Sequence, residues 1–353
     1  MRFFLPFVLS VPMAAQADAP RVITDIAPVH SLVSMVMEGV GTPELLLAQG
    51  ASPHDFSLRP SHARALQQAD LVIWTGADLS PWLGDVLTSL APTATSLPLD
   101  TVKGTFHLKN RGDAIFSDDH AGHDHDGDHD DGADDAHDET HHAEGDHEGM
   151  HGAHDEHDQD GHDAEDHDEG DHGHDAHDHG IYDPHRWLDL ENARLWLGAI
   201  ADVLSTQDPD HAAHYRDNAD RAQANLEKLE TEARARLDPL RDQPFVVFHD
   251  SFQYFETHFG LAGLGAISAS DATAPSPARI AALRETVAAS GAACVFAEPQ
   301  FSAGLVSSVT EGGDVRTAII DPLGSRLDPG AALYLALIND LVAGFEDCLG
   351  AQE

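Results

Sequence analysis

The sequence predicts an α/β protein in which two small parallel-sheet lobes are joined by one long, rigid helix. Short apolar runs alternate with helical stretches both before and after the middle of the chain. Between these two blocks, residues 209–237 contain no glycine and no internal proline, and their apolar residues recur every three or four positions. Alternating strands and helices are typical of a parallel sheet covered by helices, and the uninterrupted run indicates a single helix.

The first block contains three short apolar runs and four helical stretches. The predicted strands are residues 22–26, 45–48 and 71–74. The predicted helices are residues 28–37, 61–68 and 82–90, and after a break in composition residues 192–204. Pro28 begins the first helix, because proline suits the first helical turn, and Ser61 is expected to cap the second helix.

The second block follows the long helix and repeats the alternation. Its predicted strands are residues 245–248, 261–267, 293–297 and 315–320. Its predicted helices are residues 251–258, 277–290, 302–311 and 331–348. The helix between the blocks is expected to have about 28 residues and a length of about 42 Å, since each residue adds about 1.5 Å.

The N-terminus has the pattern of a signal peptide. An apolar stretch, residues 3–13, precedes the small-residue cleavage pattern Ala15-Gln16-Ala17. A membrane anchor is the alternative, but the stretch is shorter than the roughly 20 apolar residues of a spanning helix. The mature chain is therefore expected to be exported and soluble. The predicted parts are a signal peptide (1–17), a first lobe (18–207), a linker helix (208–239) and a second lobe (240–353).

Residues 117–180 differ in composition from the rest of the chain. They hold 26 acidic residues, no Lys or Arg, and 17 of the 26 histidines. Without an apolar period the segment has no core to bury, so we expect a disordered insertion within the first lobe. A solvated acidic spacer is the alternative, but a spacer does not need histidine, so weak auxiliary zinc binding is predicted. The histidines named for it are His120, His123, His125, His129, His172, His174, His177 and His179.

The net charge of −43 excludes one class of partner. Outside residues 117–180, 36 acidic residues still outnumber the 19 basic ones. Because nucleic-acid binding needs a basic face to neutralise phosphates, no nucleic-acid partner is expected.

Four metal-competent side chains stand beside the ends of predicted elements. His54 follows the second strand, His249 and Asp321 directly follow later strands, and His185 precedes a helix. Ligands of parallel α/β sheets lie at the carboxyl ends of the strands. Three imidazoles and one carboxylate make a tetrahedral zinc set, so zinc is the predicted ion. For Asp321, a cap of the turn at Pro322 is the alternative.

Three further residues are candidates for hydrogen-bonding to the ligand side chains and orienting them. Asp250 is placed to orient His249, His30 follows the first strand, and Glu298 follows the strand at residues 293–297. Supporting carboxylates that hold a ligand imidazole are common in metal sites. The histidines predicted to be surface or packing residues are His62, His211, His214 and His258.

The chain has two cysteines, Cys294 and Cys348. An even number in an exported protein indicates a disulfide, and two buried free thiols are the alternative.

Five ordered motifs carry a resemblance to a known family. They are GASPHDFSLRPS at residues 50–61, DPHRWL at 183–188, VFHDSFQYF at 247–255, FAEPQF at 296–301 and DPLG at 321–324. Together they resemble the substrate-binding proteins of bacterial zinc ABC importers, the ZnuA type. The likeness extends over nearly the whole mature chain.

The resemblance implies a metal site in the cleft between the lobes. The family's three histidine ligands fall on His54, His185 and His249, and the carboxylate of related sites falls on Asp321. Manganese relatives carry Glu at the position of His249, which favours zinc. Some members have Glu just before the first histidine, where this chain has Pro53, so the fourth ligand is Asp321 or water. The resemblance also implies a disulfide between the two cysteines.

The expected function is a periplasmic receptor that captures Zn²⁺ with high affinity. A monomeric receptor of this kind passes the ion to an inner-membrane permease driven by a cytoplasmic ATPase, and it catalyses no reaction. Two alternatives belong to other classes. One is a zinc buffer or chaperone with no transporter, and the other is a zinc hydrolase, which needs an open zinc position beside a general base.

Overall fold

The computed structural model describes residues 19–54, 56–111, 181–268, 276–311 and 315–350. These residues form two four-stranded sheets in which all neighbouring strands are parallel, with the orders β2-β1-β3-β4 and β6-β5-β7-β8. Both sheets belong to one compact unit. The predicted fold class, two parallel-sheet lobes with a long helix between them in sequence, is confirmed.

The first sheet is built from the N-terminal block. Its strands are β1 (Val22–Thr24), β2 (Glu44–Leu45), β3 (Leu71–Trp74) and β4 (Thr95–Pro98). The accompanying helices are α1 (Ala27–Val36), α2 (Pro60–Gln67), α3 (Pro81–Leu90) and α4 (Leu190–Gln207). β1 and β3 lie in the middle of the sheet and are fully buried, which explains their continuous apolar sequences.

The long helix α5 (Ala212–Leu237) has 26 residues and therefore a length of about 39 Å. The helix is predicted to begin at Pro209. A short 3₁₀ turn, Pro209–His211, takes up that position, so α5 begins three residues later. One stripe of α5 is buried against α1, α4 and α9 (Leu333–Leu349). Its buried residues are Tyr215, Asn218, Ala219, Ala222, Leu226, Leu229, Ala233 and Leu237.

The second sheet is built from the C-terminal block. Its strands are β5 (Phe245–His249), β6 (Gly263–Ser268), β7 (Cys294–Ala297) and β8 (Arg316–Ile319). The helices of this block are α6 (Gln253–Phe259), α7 (Pro277–Ser290), α8 (Ala303–Thr310) and α9.

Strand β5 separates two apolar clusters. Phe245 and Val247 belong to a large cluster that also contains α1, α4, α5 and α9, whereas Val246 and Phe248 belong to a smaller one with residues of α7 and α8. Successive side chains of a strand point to opposite faces, so this alternation follows from the strand geometry. The large cluster contains residues of both sheets, so strands β1, β3 and β5 pack against the same hydrophobic core.

Several details of the first block differ from the sequence-based prediction. The first two strands are shorter than the predicted ranges 22–26 and 45–48. Strand β4 is not predicted, because it is a half-exposed edge strand without an apolar pattern, and its pairing with β3 defines it. Ser61 does not cap α2, since Pro60 occupies the first helical turn and Arg59 is the N-cap residue. Proline has the backbone angle of that turn built in, so the helix begins at the proline.

Cys294 and Cys348 form a disulfide, with their Cα atoms 6.0 Å apart. The bond joins β7 to α9, and both cysteines are buried. The predicted disulfide is confirmed.

Several predicted features lie outside the described residues. They are the signal peptide and the auxiliary histidines His120, His123, His125, His129, His172, His174, His177 and His179. Among the helices that the structure does describe, none combines the length and the apolar character that crossing a membrane requires.

Candidate metal centre

Three of the four predicted ligands come together although they are far apart in sequence. His54 lies on the connection between β2 and α2, His185 precedes the 3₁₀ turn Arg186–Leu188, and His249 is the last residue of β5. One candidate ligand atom from each side chain lies within 4.8 Å of the other two. The ring centroids are 5.5 Å apart for His54 and His185, 5.6 Å for His54 and His249, and 5.0 Å for His185 and His249.

The dimensions of this group fit a zinc ion with little movement. Zinc–nitrogen bonds of about 2.0–2.1 Å at tetrahedral angles put ligand nitrogens about 3.3 Å apart. The three side chains therefore need to approach one another by about 1.5 Å at most. His185 and His249 are 4% and 3% exposed, while His54 is half-buried. The group is thus a nearly enclosed set of nitrogen donors with one more accessible member.

His185 is held by Asp183, which sequence reasoning did not select. Oδ1 of Asp183 lies 2.7 Å from Nδ1 of His185 and also accepts a 2.8 Å hydrogen bond from the backbone N–H of His185. Burial raises the pKa of Asp183 to about 6. Burial lowers the pKa of His185 well below its usual value, and the neighbouring His249 and Arg186 side chains add to this effect. The imidazole is therefore neutral, as a metal ligand must be.

His249 has a carboxylate beside it as well. Oε1 of Glu298 lies 3.4 Å from Nδ1 of His249, and this glutamate is buried. Ser251 donates a 3.4 Å hydrogen bond to Oε1 of Glu298, and Gln300 donates one of 2.7 Å to Oε2. Glu298 is therefore a buried carboxylate next to His249, and its supporting role stays a prediction.

Asp250 forms an ion pair with Arg111. Nε of Arg111 donates to both of its oxygens at 3.1 Å, and Nη1 of Arg111 donates to Glu256 at 2.7 Å. Burial raises the pKa of Asp250 and of Glu256, while Arg111 opposes that rise. Asp250 thus belongs to a largely buried ion-pair cluster with Arg111 and Glu256, and its role in orienting His249 stays a prediction.

Asp321 uses its carboxylate in a turn. Oδ1 accepts hydrogen bonds of 3.0 and 3.1 Å from the N–H groups of Leu323 and Gly324, and Oδ2 accepts bonds of 2.6 Å from the N–H and hydroxyl of Ser325. Asp321 also lines a cavity of about 220 Å³ together with residues near Gly50 and Gln300. Among the described residues, the group that could hold a metal contains the three histidines without Asp321. These contacts are those of a turn cap, which is the alternative role given for Asp321.

His30 takes part in a separate set of contacts. Its Nε2 lies 3.1 Å from the carbonyl oxygen of Pro43, and its Nδ1 lies 3.5 Å from Oγ of Ser34. Burial lowers the pKa of His30. The ring therefore joins α1 to the loop before β2, and the group that could hold a metal does not include it.

A local sequence pattern does indicate a hydrogen-bonding role for Asp183. In a loop, an aspartate side chain often accepts a hydrogen bond from the backbone N–H of the residue two positions later, which is called an Asx turn. In Asp183-Pro184-His185 this local bond brings the carboxylate to the ring nitrogen of His185. Arg111 carries no comparable signal, because its partners lie 139 and 145 residues away.

Comparison with known proteins gives extensive matches. The sequence profile of the ZnuA family, described as zinc-uptake complex component A, periplasmic, matches residues 22–348. The high-affinity zinc uptake system protein ZnuA of Paracoccus denitrificans (strain Pd 1222) is 42% identical over 340 residues, which are 96% of this chain and 94% of that protein. ZnuA of Brucella abortus (strain 2308) is 41% identical over 328 residues, 93% of this chain and 91% of that protein.

The fold also matches solved structures of lower identity. The zinc-bound ZnuA-like domain of AdcA from Streptococcus pneumoniae is 19% identical, with a TM-score of 0.63, and the match covers 94% of this chain and 99% of that chain. At this identity the likeness concerns the fold alone. The profile match and the identity to full-length relatives decide the classification, and they confirm the resemblance seen in the motifs: the chain belongs to the ZnuA family.

Proposed function

We propose that this chain is a high-affinity periplasmic zinc receptor that binds Zn²⁺ with His54, His185 and His249 and delivers it to an ABC-type importer. The observation that carries the proposal is the convergence of three imidazoles within 4.8 Å in a chain of a family described by zinc uptake. Neutral imidazoles are preferred zinc ligands, whereas a manganese site would have more oxygen donors. The three nitrogens therefore favour zinc.

Water is the better candidate for the fourth ligand. Asp321 remains the predicted carboxylate, but both of its oxygens already accept hydrogen bonds from residues 323–325. Recruiting it would break part of this turn, and each lost hydrogen bond to a charged group costs about 1.5–3 kcal/mol. A zinc-bound water has no such cost, so we propose His54, His185, His249 and water, with Asp321 as the alternative.

The partners and the location follow from the same proposal. The receptor works as a monomer in the periplasm after removal of a signal peptide at residues 1–17. It passes its ion to an inner-membrane permease coupled to a cytoplasmic ATPase. A disulfide is the expected state of two paired cysteines in that oxidising compartment. The lobe boundaries proposed are residues 18–207 and 240–353, with 208–239 as the linker.

A zinc hydrolase would hydrolyse a substrate at a zinc-dependent rate, whereas a receptor would not. Three histidines plus water is also the ligand set of some zinc enzymes, so the hydrolase alternative has an observation in its favour. The carboxylates near the ligands are engaged with protein groups, since Asp183 binds His185 and Asp250 binds Arg111. We therefore expect the zinc-loaded chain to hydrolyse an activated ester no faster than the zinc-free chain. A zinc-dependent rate that is lost in His249→Ala would support the enzyme instead.

Titration calorimetry with zinc and with manganese tests the assignment of the ion and of the cleft. The intact chain, a variant lacking residues 117–180 and His54→Ala are compared. We expect one tight zinc site in the first two proteins, its loss in the third, and weaker manganese binding throughout. The variant lacking residues 117–180 is expected to lose only weak zinc sites. Loss of all tight binding in that variant would place the specific site in residues 117–180.

Zinc affinity is expected to change little between about pH 7.5 and 6.5 and to fall about tenfold between about pH 6.5 and 5. Protons compete with zinc for the ligand imidazoles, so affinity falls as the pH falls. The lowered pKa of His185 delays this competition at that ligand, and Asp183, with a pKa of about 6, loses its charge only in the lower interval. Competition with a chelator measures the tight site at each pH. Equal affinities near pH 5 and 7.5 would contradict the proposed ligand set.

A further inference from the structure

The carboxylate of Asp183 is a close, buried partner of the His185 ring. Its Oδ1 lies 2.7 Å from Nδ1 of His185. The same oxygen accepts the backbone N–H of His185 at 2.8 Å. Asp183 is 2% exposed, so water does not compete for these bonds. One buried carboxylate oxygen therefore makes two short contacts with His185, one to its ring and one to its backbone.

The backbone of Asp183 is fixed on both sides. Its N–H donates a 2.9 Å hydrogen bond to the carbonyl oxygen of Leu108, and its carbonyl oxygen accepts a 3.2 Å bond from the hydroxyl of Tyr254. The hydroxyl of Tyr254 in turn accepts a 2.8 Å bond from the N–H of Leu108. Tyr254 lies in α6 and is fully buried. These bonds close a small network that fixes the backbone from which the Asp183 carboxylate reaches His185.

A fixed carboxylate at Nδ1 determines which nitrogen of His185 can bind a metal. A neutral imidazole has one N–H group and one lone pair, and the hydrogen bond made by one nitrogen decides which is which. The carboxylate accepts the proton of Nδ1, so the lone pair is left on Nε2. We propose that Asp183 is a positioning residue that holds His185 as the Nδ1–H tautomer and presents Nε2 to the zinc ion. This inference rests on the proposed zinc function.

The same contact is expected to strengthen binding. Zinc withdraws electrons from the ring and makes the Nδ1–H group a stronger donor, so its bond to an ionised carboxylate is reinforced in the bound state. Loss of such an outer partner usually lowers metal affinity by about 10–100-fold. Asp183→Asn keeps the shape but removes the charge, and we expect a loss in that range. Asp183→Ala removes the acceptor too and is expected to lose at least as much.

Asp189 provides a matched control in the same segment. It is also buried, its carboxylate also accepts a backbone N–H, that of Asn192 at 2.8 Å, and it also lies beside a histidine ring, 3.2 Å from Nδ1 of His258. His258 is not a member of the three-histidine group. Asp189→Asn therefore removes a comparable buried charge without touching the proposed ligands, and zinc affinity should stay within about threefold of the unmodified chain.

The test combines zinc affinity with ¹⁵N NMR of the histidine rings in the zinc-free, full-length chain. The signals of His185 are identified by their loss in His185→Gln. We expect a protonated Nδ1 and an unprotonated Nε2 in the unmodified chain, a loss of this preference in Asp183→Ala, and the affinity losses given above. A protonated Nε2 in the unmodified chain, or equal affinity losses in Asp183→Asn and Asp189→Asn, would overturn the inference.

The two proposals fail in different ways. If zinc binding were unchanged in His185→Ala, the ligand assignment itself would be wrong, whatever the tautomer. If His185→Ala lost zinc but the zinc-free ring carried its proton on Nε2, the zinc site would stand and the role of Asp183 would not. The NMR measurement needs no variant of Asp183, so it decides the question even if those variants fail to fold.

Discussion

Replacing His185 by alanine is expected to weaken the binding of one zinc ion by about 100-fold to 1,000-fold. Zinc sites with four protein ligands have binding free energies of about 10–16 kcal/mol, so one ligand accounts for about 3–4 kcal/mol, and each 1.4 kcal/mol is a factor of ten. His185 is 4% exposed and has a lowered pKa, so it is ready to bind without first losing a proton. Competition with a chelator of known affinity measures the change.

His214→Ala is the matched control for this variant. His214 is an exposed residue of α5 outside the three-histidine group. Its removal should leave the tight site unchanged, because it does not belong to the three-histidine group. Melting of the zinc-free proteins shows whether His185→Ala remains folded. An unchanged tight site in a folded His185→Ala variant would mean that the three histidines are not the zinc ligands.

Removing the disulfide is expected to lower the free energy of unfolding by about 2–4 kcal/mol. Cys294 and Cys348 are separated by 54 residues, and closing a loop of that length restricts the unfolded chain by an amount worth about 4 kcal/mol. The double variant Cys294→Ala with Cys348→Ala should therefore melt about 3–8 °C lower, given the size of the chain. Thermal unfolding followed by circular dichroism measures this change.

Zinc affinity should be almost unaffected in the same double variant. Cys294 pairs with Phe245 at the start of β5, whereas His249 is at the end of that strand. Four strand residues separate the two places by about 13 Å. Reduction of the unmodified chain should lower the melting temperature as much as the double substitution does. An unchanged melting temperature in both experiments would show that the bond adds nothing to stability.

Much of the fold could be predicted because its central strands have continuous apolar sequences. β3 matches its predicted range, and β5 extends one residue past it, to His249. Strand β4 could not be predicted, since its residues are half-exposed, it ends at Pro98, and only its hydrogen bonds to β3 identify it. Edge strands tolerate proline and polar residues because one side of their backbone is unpaired.

The site could be predicted in part for a related reason. His54, His185 and His249 stand at ends of elements, where parallel sheets place their ligands, and the structure brings them together. The same rule selected Asp321, but it cannot tell whether a carboxylate faces a cleft or accepts hydrogen bonds from its own turn, as Asp321 does. Asp183 was missed because its role depends on a local bond to His185, not on its place in the sheet.

Anomalous diffraction at the zinc edge, from crystals of the full chain with one equivalent of zinc, tests the proposed site most directly. We predict one strong peak about 2.0–2.1 Å from a ring nitrogen of each of His54, His185 and His249. At His185 this nitrogen should be Nε2, with Nδ1 still bonded to Asp183. A strongest peak that His185 and His249 do not coordinate would contradict the proposed zinc site.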